Sequence, residues 1–135
     1  MSENENVEEF PLVDEAQDVF DIEDITTEVV SVPEWKRSVR LKVLSAYERD
    51  EFEASTVTMK GGKQKPNLAN LRARLVARCM VNAKGDRVFE SGDVARLGRK
   101  SSKALDRLFA KCQEINGFSD KDIEELTEDF DETSV

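Results

Sequence analysis

Charge is partitioned along this chain in a way that limits where it can fold. Residues 1–34 hold twelve acidic side chains and no Lys or Arg, a charge of −12. Residues 35–117 hold nineteen basic and nine acidic side chains, +10, and residues 118–135 return to −7. A stretch of one sign repels itself and buries too little apolar surface to offset the entropy of ordering it. Folding is therefore expected in the middle. Residues 1–25 read as an acidic disordered arm, 26–127 as an α+β domain, and 128–135 as an acidic flexible tail. The arm is not purely polar, because Phe10, Leu12, Val13, Val19, Phe20, Ile22 and Ile25 are set among its acids. Acidic–apolar alternation marks segments that bind while remaining disordered. Such an arm either solubilises the chain or docks on a basic surface, its own or a partner's.

Local patterns inside the domain predict its elements. Residues 26–32 (TTEVVSV) are β-branched and read as a strand that Pro33 stops. Residues 38–44 alternate, with Val39, Leu41 and Val43 on one face and Arg40 and Lys42 on the other, so an antiparallel hairpin with one wet, basic face is expected. Ser45 and Glu48 have capping-box spacing and start a helix running to about Ser55. Residues 56–66, broken by Gly61, Gly62 and Pro66, read as a flexible basic loop. Asn67 is a plausible N-cap for a helix whose core face is Leu68, Leu71, Leu75 and Cys79, with Arg74 and Arg78 opposite. Residues 80–89 read as a second short hairpin about Lys84-Gly85-Asp86, followed by a short helix from Ser91 to Leu97. Ser101 or Ser102 opens the most periodic segment, with the apolar stripe Leu105, Leu108, Phe109, Cys112 and Ile115, and Gly117 at the helix stop. A last short helix is expected after Ser119, with Ile123 and Leu126 on one face. The fold class is α+β, a small N-terminal antiparallel hairpin followed by a mostly helical body with a second short hairpin. Its thin core and amphipathic helices invite a homo-oligomer.

Composition narrows the chemistry. The chain has no histidine, so the commonest general acid/base, the usual activator of hydroxyl and thiol nucleophiles and the commonest metal ligand are missing. Cys79 and Cys112 are 33 residues apart with no CxxC pair, which argues for reduced core thiols and against zinc. The segment Lys60-Gly61-Gly62-Lys63 lacks the spacing of a phosphate-binding loop. Neither a signal peptide nor a run of about 20 apolar residues is present, so a soluble cytoplasmic protein with no membrane partner is expected. The protein is expected to bind another macromolecule and not to catalyse a reaction. No catalytic, cofactor-binding or metal-ligating residues are assigned, and no cofactor.

Two features point to a binding surface. Arg74, Arg78, Lys100, Lys103, Arg107 and Lys111, if clustered, form a basic face able to track a phosphate backbone or an acidic protein. Scarce aromatics, acidic flanks and the lack of a known nucleic-acid-binding pattern weigh against nucleic acid, which stays as the alternative, a nucleic-acid-binding or regulatory protein using the basic central face. Trp35, the only tryptophan, sits in the hairpin turn and either folds onto the core or serves as a binding hot spot. The candidate partner-binding residues are Trp35, Arg74, Arg78, Lys103, Arg107, Lys111, Ile123 and Leu126.

Several phrases have a familiar look: Val32-Pro33-Glu34-Trp35, residues 46–53 (AYERDEFE), residues 70–76 (NLRARLV), residues 85–89 (GDRVF), residues 93–98 (DVARLG), residues 104–108 (ALDRL) and residues 116–119 (NGFS). Together they resemble the tail assembly chaperones of long, non-contractile-tailed bacteriophages and related prophages, over about residues 30–126. The resemblance implies an α+β protein of the host cytoplasm, absent from the mature virion. Such a protein binds the tape measure protein, the long helical polypeptide that sets tail length, and holds it soluble until tube subunits assemble around it. The major tail tube protein is the second partner this brings in. A frameshifted longer form, diverging within residues 127–135, also belongs to the family's pattern.

Overall fold

The structure, a computed structural model, describes residues 9–118. The expected last helix, with Ile123 and Leu126, lies outside the described residues. The described chain is α+β, with five α-helices and two antiparallel sheets.

Strands β1 (Thr27–Val32) and β2 (Arg37–Lys42) form the expected hairpin, in the register Glu28↔Leu41, Val30↔Val39 and Val32↔Arg37. A 3-10 turn at Pro33–Trp35 joins them. Pro33 presets φ for the first turn position, and Lys36 closes the turn in the left-handed region at φ 53°. The face expected to be wet is partly covered. Lys42 keeps only 16% of its side chain exposed, because helix α2 (Ala46–Ser55) brings Glu48 to 2.8 Å from its ammonium. That helix begins as the sequence predicts. Ser45 Oγ accepts from the Glu48 N–H and the Glu48 carboxylate accepts from the Ser45 N–H, both at 3.1 Å, satisfying two otherwise orphaned donors.

The expected loop at 56–66 is instead a hairpin of β3 (Val57–Lys60) and β4 (Lys63–Pro66). Gly61 and Gly62 stand at φ +60° and +78°, the conformation a two-residue hairpin turn needs to match strand twist, and only glycine enters it without steric cost. The Gly-Gly pair was a turn signal, not a sign of looseness. Asn67 is not an N-cap. Its N–H donates to Thr56 O at 2.7 Å and its side chain to Ser55 O, closing the hairpin base. Helix α3 therefore starts later, at Leu71–Cys79, and Leu68 is left 39% exposed and not in the core.

Strand β5 (Met80–Val81) pairs with β2, giving the sheet order β1-β2-β5. The chain does reverse after it, about Gly85, but the return is a single bridge between Val81 and Arg87 and not a second two-stranded hairpin. A 3-10 turn (Ser91–Asp93) leads into α4 (Val94–Leu97), and α5 (Ser102–Ile115) closes the domain. The body is thus less helical than expected, because two short strands, β3 and β4, occupy the stretch expected to be loop. Helix α5 ends in a Schellman motif. Phe118 N–H reaches Gln113 O at 2.9 Å and Gly117 N–H reaches Glu114 O, with Gly117 at φ +71°. The motif turns Phe118 inward, where it meets Phe52 edge-on at a centroid distance of 6.0 Å.

The core lies where α3 and α5 pack on each other and on β1 and β2. Leu41, Phe52, Leu75, Val76, Cys79, Leu108 and Cys112 are fully buried there. In the arm, Gln17–Phe20 form one helical turn (α1), a local departure from the disorder expected over 1–25. The Asp18 carboxylate accepts from the N–H groups of Asp14 and Glu15 at 3.1 Å each, which winds that turn locally, with none of its residues buried.

Candidate functional site

The expected basic face does not assemble. Arg74 and Arg78 point toward α2, whereas Arg107 and Lys111 on α5 face β1 and the 3-10 turn. The Arg74 guanidinium is used up internally, donating to the carbonyls of Ser55, Asn67 and Ala69 and to Ser55 Oγ. Burial, and secondarily the charge of Arg78, lowers its pKa. Arg78 stacks over the Phe52 ring at 6.0 Å, its pKa lowered by burial and by Arg87. These two arginines tie α3 to α2 and to the hairpin base. Sequence periodicity placed them opposite the core without registering that α2 covers that side.

On α5 the basic ridge is largely neutralised, and two of the three carboxylates come from the acidic stretch before residue 35. Arg107 grips Glu34 with two nitrogens at 2.9 and 3.3 Å, and Lys111 meets Glu28 at 2.8 Å and Glu114 at 3.0 Å. The Arg107 bond holds the Glu34 carboxyl below its usual range, and Glu28 with Glu114 pushes the Lys111 ammonium up. Lys103 is exposed and makes no ion pair among the described residues. Two of the twelve early acids thus already lie against the basic body.

Trp35 is placed otherwise. It packs half-buried against the core edge and walls an open groove of about 960 Å³ with Val88, Phe89 and Leu97. Asp93, Arg96, Arg99 and Lys100 complete the lining. Asp93 is held by Arg96 at 3.0 Å, while Arg99 and Lys100 have no carboxylate partner among the described residues. The groove therefore joins an apolar floor to a rim with net positive charge. Its geometry is set by the 3-10 turn on one side and by the α4–α5 connection on the other, where Gly98 lets the chain turn tightly against Asn70. Of these residues the sequence singled out only Trp35 and Lys100. Val88, Phe89 and Leu97 belong to segments too short to show a period, and nothing local marks them as facing Trp35.

No grouping of Cys, Asp and Glu among the described residues is arranged to hold a metal ion. Cys79 and Cys112 are buried free thiols. The hydrogen bond with Cys79, together with burial, pushes the Cys112 thiol well up.

Comparison with curated proteins and with solved structures finds no match. A family model does match, that of the phage tail assembly chaperones, over residues 19–133. This range takes in both hairpins, helices α2 to α5 and every wall of the groove, and on it the chain belongs to the phage tail assembly chaperone family.

Proposed function

We propose that this chaperone binds the tape measure protein in the Trp35 groove and keeps it soluble during tail assembly. It acts in the host cytoplasm and leaves before the virion is complete. One observation carries the reading, the open groove with a tryptophan wall, apolar lining, and Arg99 and Lys100 without carboxylate partners among the described residues. Hot spots of binding are enriched in tryptophan at the centre of such surfaces, where a half-buried ring gains area at little entropic cost. A long helical polypeptide awaiting its tube exposes apolar strips flanked by charge. The floor suits the strips, and Arg99 with Lys100 suits acidic residues beside them. The acidic ends of the chain add the net charge that keeps a complex dispersed.

Co-expression with the tape measure protein tests this. The intact chaperone should raise the soluble fraction and co-purify with it, and Trp35→Ala should reduce both while leaving the chaperone folded. Unchanged solubility and no complex would defeat the proposal. Mass spectrometry of purified particles tests the departure, since finding the chain in mature virions would overturn it.

A further inference from the structure

The arm and the groove are complementary in a way the fold does not use. Ten of the twelve early acids lie in residues 1–24, interleaved with apolar side chains. Six of those side chains stand in water: Phe10 is 74% exposed, Leu12 77%, Val13 59%, Val19 48%, Phe20 74% and Ile22 60%. No other part of the described chain concentrates so much exposed apolar surface, and patches of this kind mark interaction segments. On the body, Arg99 and Lys100 are the cations beside an apolar floor that lack carboxylate partners among the described residues. Glu28 and Glu34 already pair with Lys111 and Arg107, so the acidic stretch is partly docked where it enters the fold.

Reach is sufficient. Strand β1 has six residues, about 20 Å of chain, and Trp35 lies just beyond its far end. Residues 20–26, extended back along it, span about 23 Å, which brings Phe20 to the groove and leaves Phe10–Val13 enough chain to follow. A tethered segment has an effective concentration in the millimolar range when its linker spans the sites, so even a weak docking contact is populated.

We propose that residues 10–22 of the same chain, which stand clear of the groove in the structure, close onto it in solution as its own ligand, an acidic–apolar segment that covers Trp35 until a partner displaces it. The competition with the partner rests on the function proposed above, but the docking does not. Apolar side chains of the arm enter beside Trp35, Val88 and Phe89, and their neighbouring carboxylates meet Arg99 and Lys100. The arm thereby shields the groove from water and from unintended partners, and the tape measure protein binds by replacing it.

Trp35, as the sole tryptophan, reports on this directly. Acrylamide quenching of its fluorescence is compared for the full chain, for the full-length F10S/L12S/F20S/I22S variant and for R99E/K100E. All these positions are exposed or rim the groove, and circular dichroism confirms that each variant is folded. Both variants should be quenched more readily and emit at longer wavelength than the intact chain. At about 1 M salt, where the screening length falls to about 3 Å, the intact chain should shift toward them. Equal quenching of all three would overturn the proposal. Protection that appears only as protein concentration rises, with larger species in sedimentation, would overturn it in favour of the arm of a second copy. With tape measure protein added, the arm variant should bind about three- to tenfold more tightly, as expected when most grooves are otherwise occupied. Protection of Trp35 by the arm without any tape measure binding would sink the proposed function and leave the docking intact.

Discussion

Glu48 is the position where sequence, fold and stability meet most directly, and replacing it by Gln has a calculable effect. Its carboxylate caps α2 and also accepts from Lys42 at 2.8 Å and from Arg87 at 3.1 Å. Partial burial by itself raises the Glu48 pKa. The hydrogen bonds from Lys42, the Ser45 N–H and Arg87 outweigh it and bring the carboxyl down to about 2, from 4.5. A displacement of that size corresponds to at most about 3.5 kcal/mol. Water reaches the cluster from the Arg87 side, which is 42% exposed, so about 1.5–2 kcal/mol is the expected net contribution. A Glu whose folded value lies below its unfolded one contributes fully above about pH 4.5, and the contribution is lost as pH falls toward about 2. Glu48→Gln keeps the oxygen that caps Ser45 but leaves Lys42 without its anion. Denaturant unfolding at neutral pH should show a loss of about 1.5–2 kcal/mol, or roughly 6–12 °C in Tm for a domain of this size. The gap between wild type and variant should narrow steadily between about pH 4.5 and 2. A variant as stable as wild type at neutral pH, or a gap that does not narrow in acid, would refute the reasoning.

Other positions follow from the same structure. Phe52→Ala empties the largest fully buried side chain and removes the ring that Arg78 and Phe118 pack against; a loss of about 3–5 kcal/mol is expected in chemical denaturation. Gly61→Ala should cost about 1 kcal/mol, because φ +60° is costly for a side chain with Cβ, whereas Gly61→Asn should cost much less; equal losses in thermal melts would contradict the turn assignment. Arg74→Lys keeps the charge but cannot span the carbonyls of Ser55, Asn67 and Ala69; about 1–3 kcal/mol should be lost, with faster hydrogen exchange at the base of the β3–β4 hairpin. Cys79 and Cys112, both buried, should resist thiol reagents in native protein at mildly alkaline pH and react at once in denaturant.

Much of this fold is legible locally. The alternation in β2, the S-x-x-E box of α2, the apolar stripe of α5 and the glycine at its end each correspond to a backbone arrangement that forms within a few residues. The departures have two causes. Gly61-Gly62 suggests flexibility in the sequence, whereas its left-handed φ values make it a turn. Asn67 suggests a helix cap, whereas its partners, Thr56 and Ser55, lie back along the chain. Lys42 reads as wet from the alternation of β2, whereas the helix that covers it, α2, comes later in sequence. For Asn67 and Lys42 the deciding contact is with another element, where periodicity carries no information; for the glycine pair it is local turn chemistry.

The candidate site divides in the same way. From the sequence came the polarity of the chain, an acidic arm joined to a basic body, because charge counts need no coordinates. Only the tertiary structure decided which cations are free. Glu34 and Glu28 reach across from the first hairpin to neutralise Arg107 and Lys111, and backbone carbonyls take up Arg74. Arg99 and Lys100 are left beside Trp35 at a groove whose walls come from three separated segments. Composition fixes how much charge and apolar surface a chain carries, whereas folding determines which groups satisfy one another and which remain available to a partner.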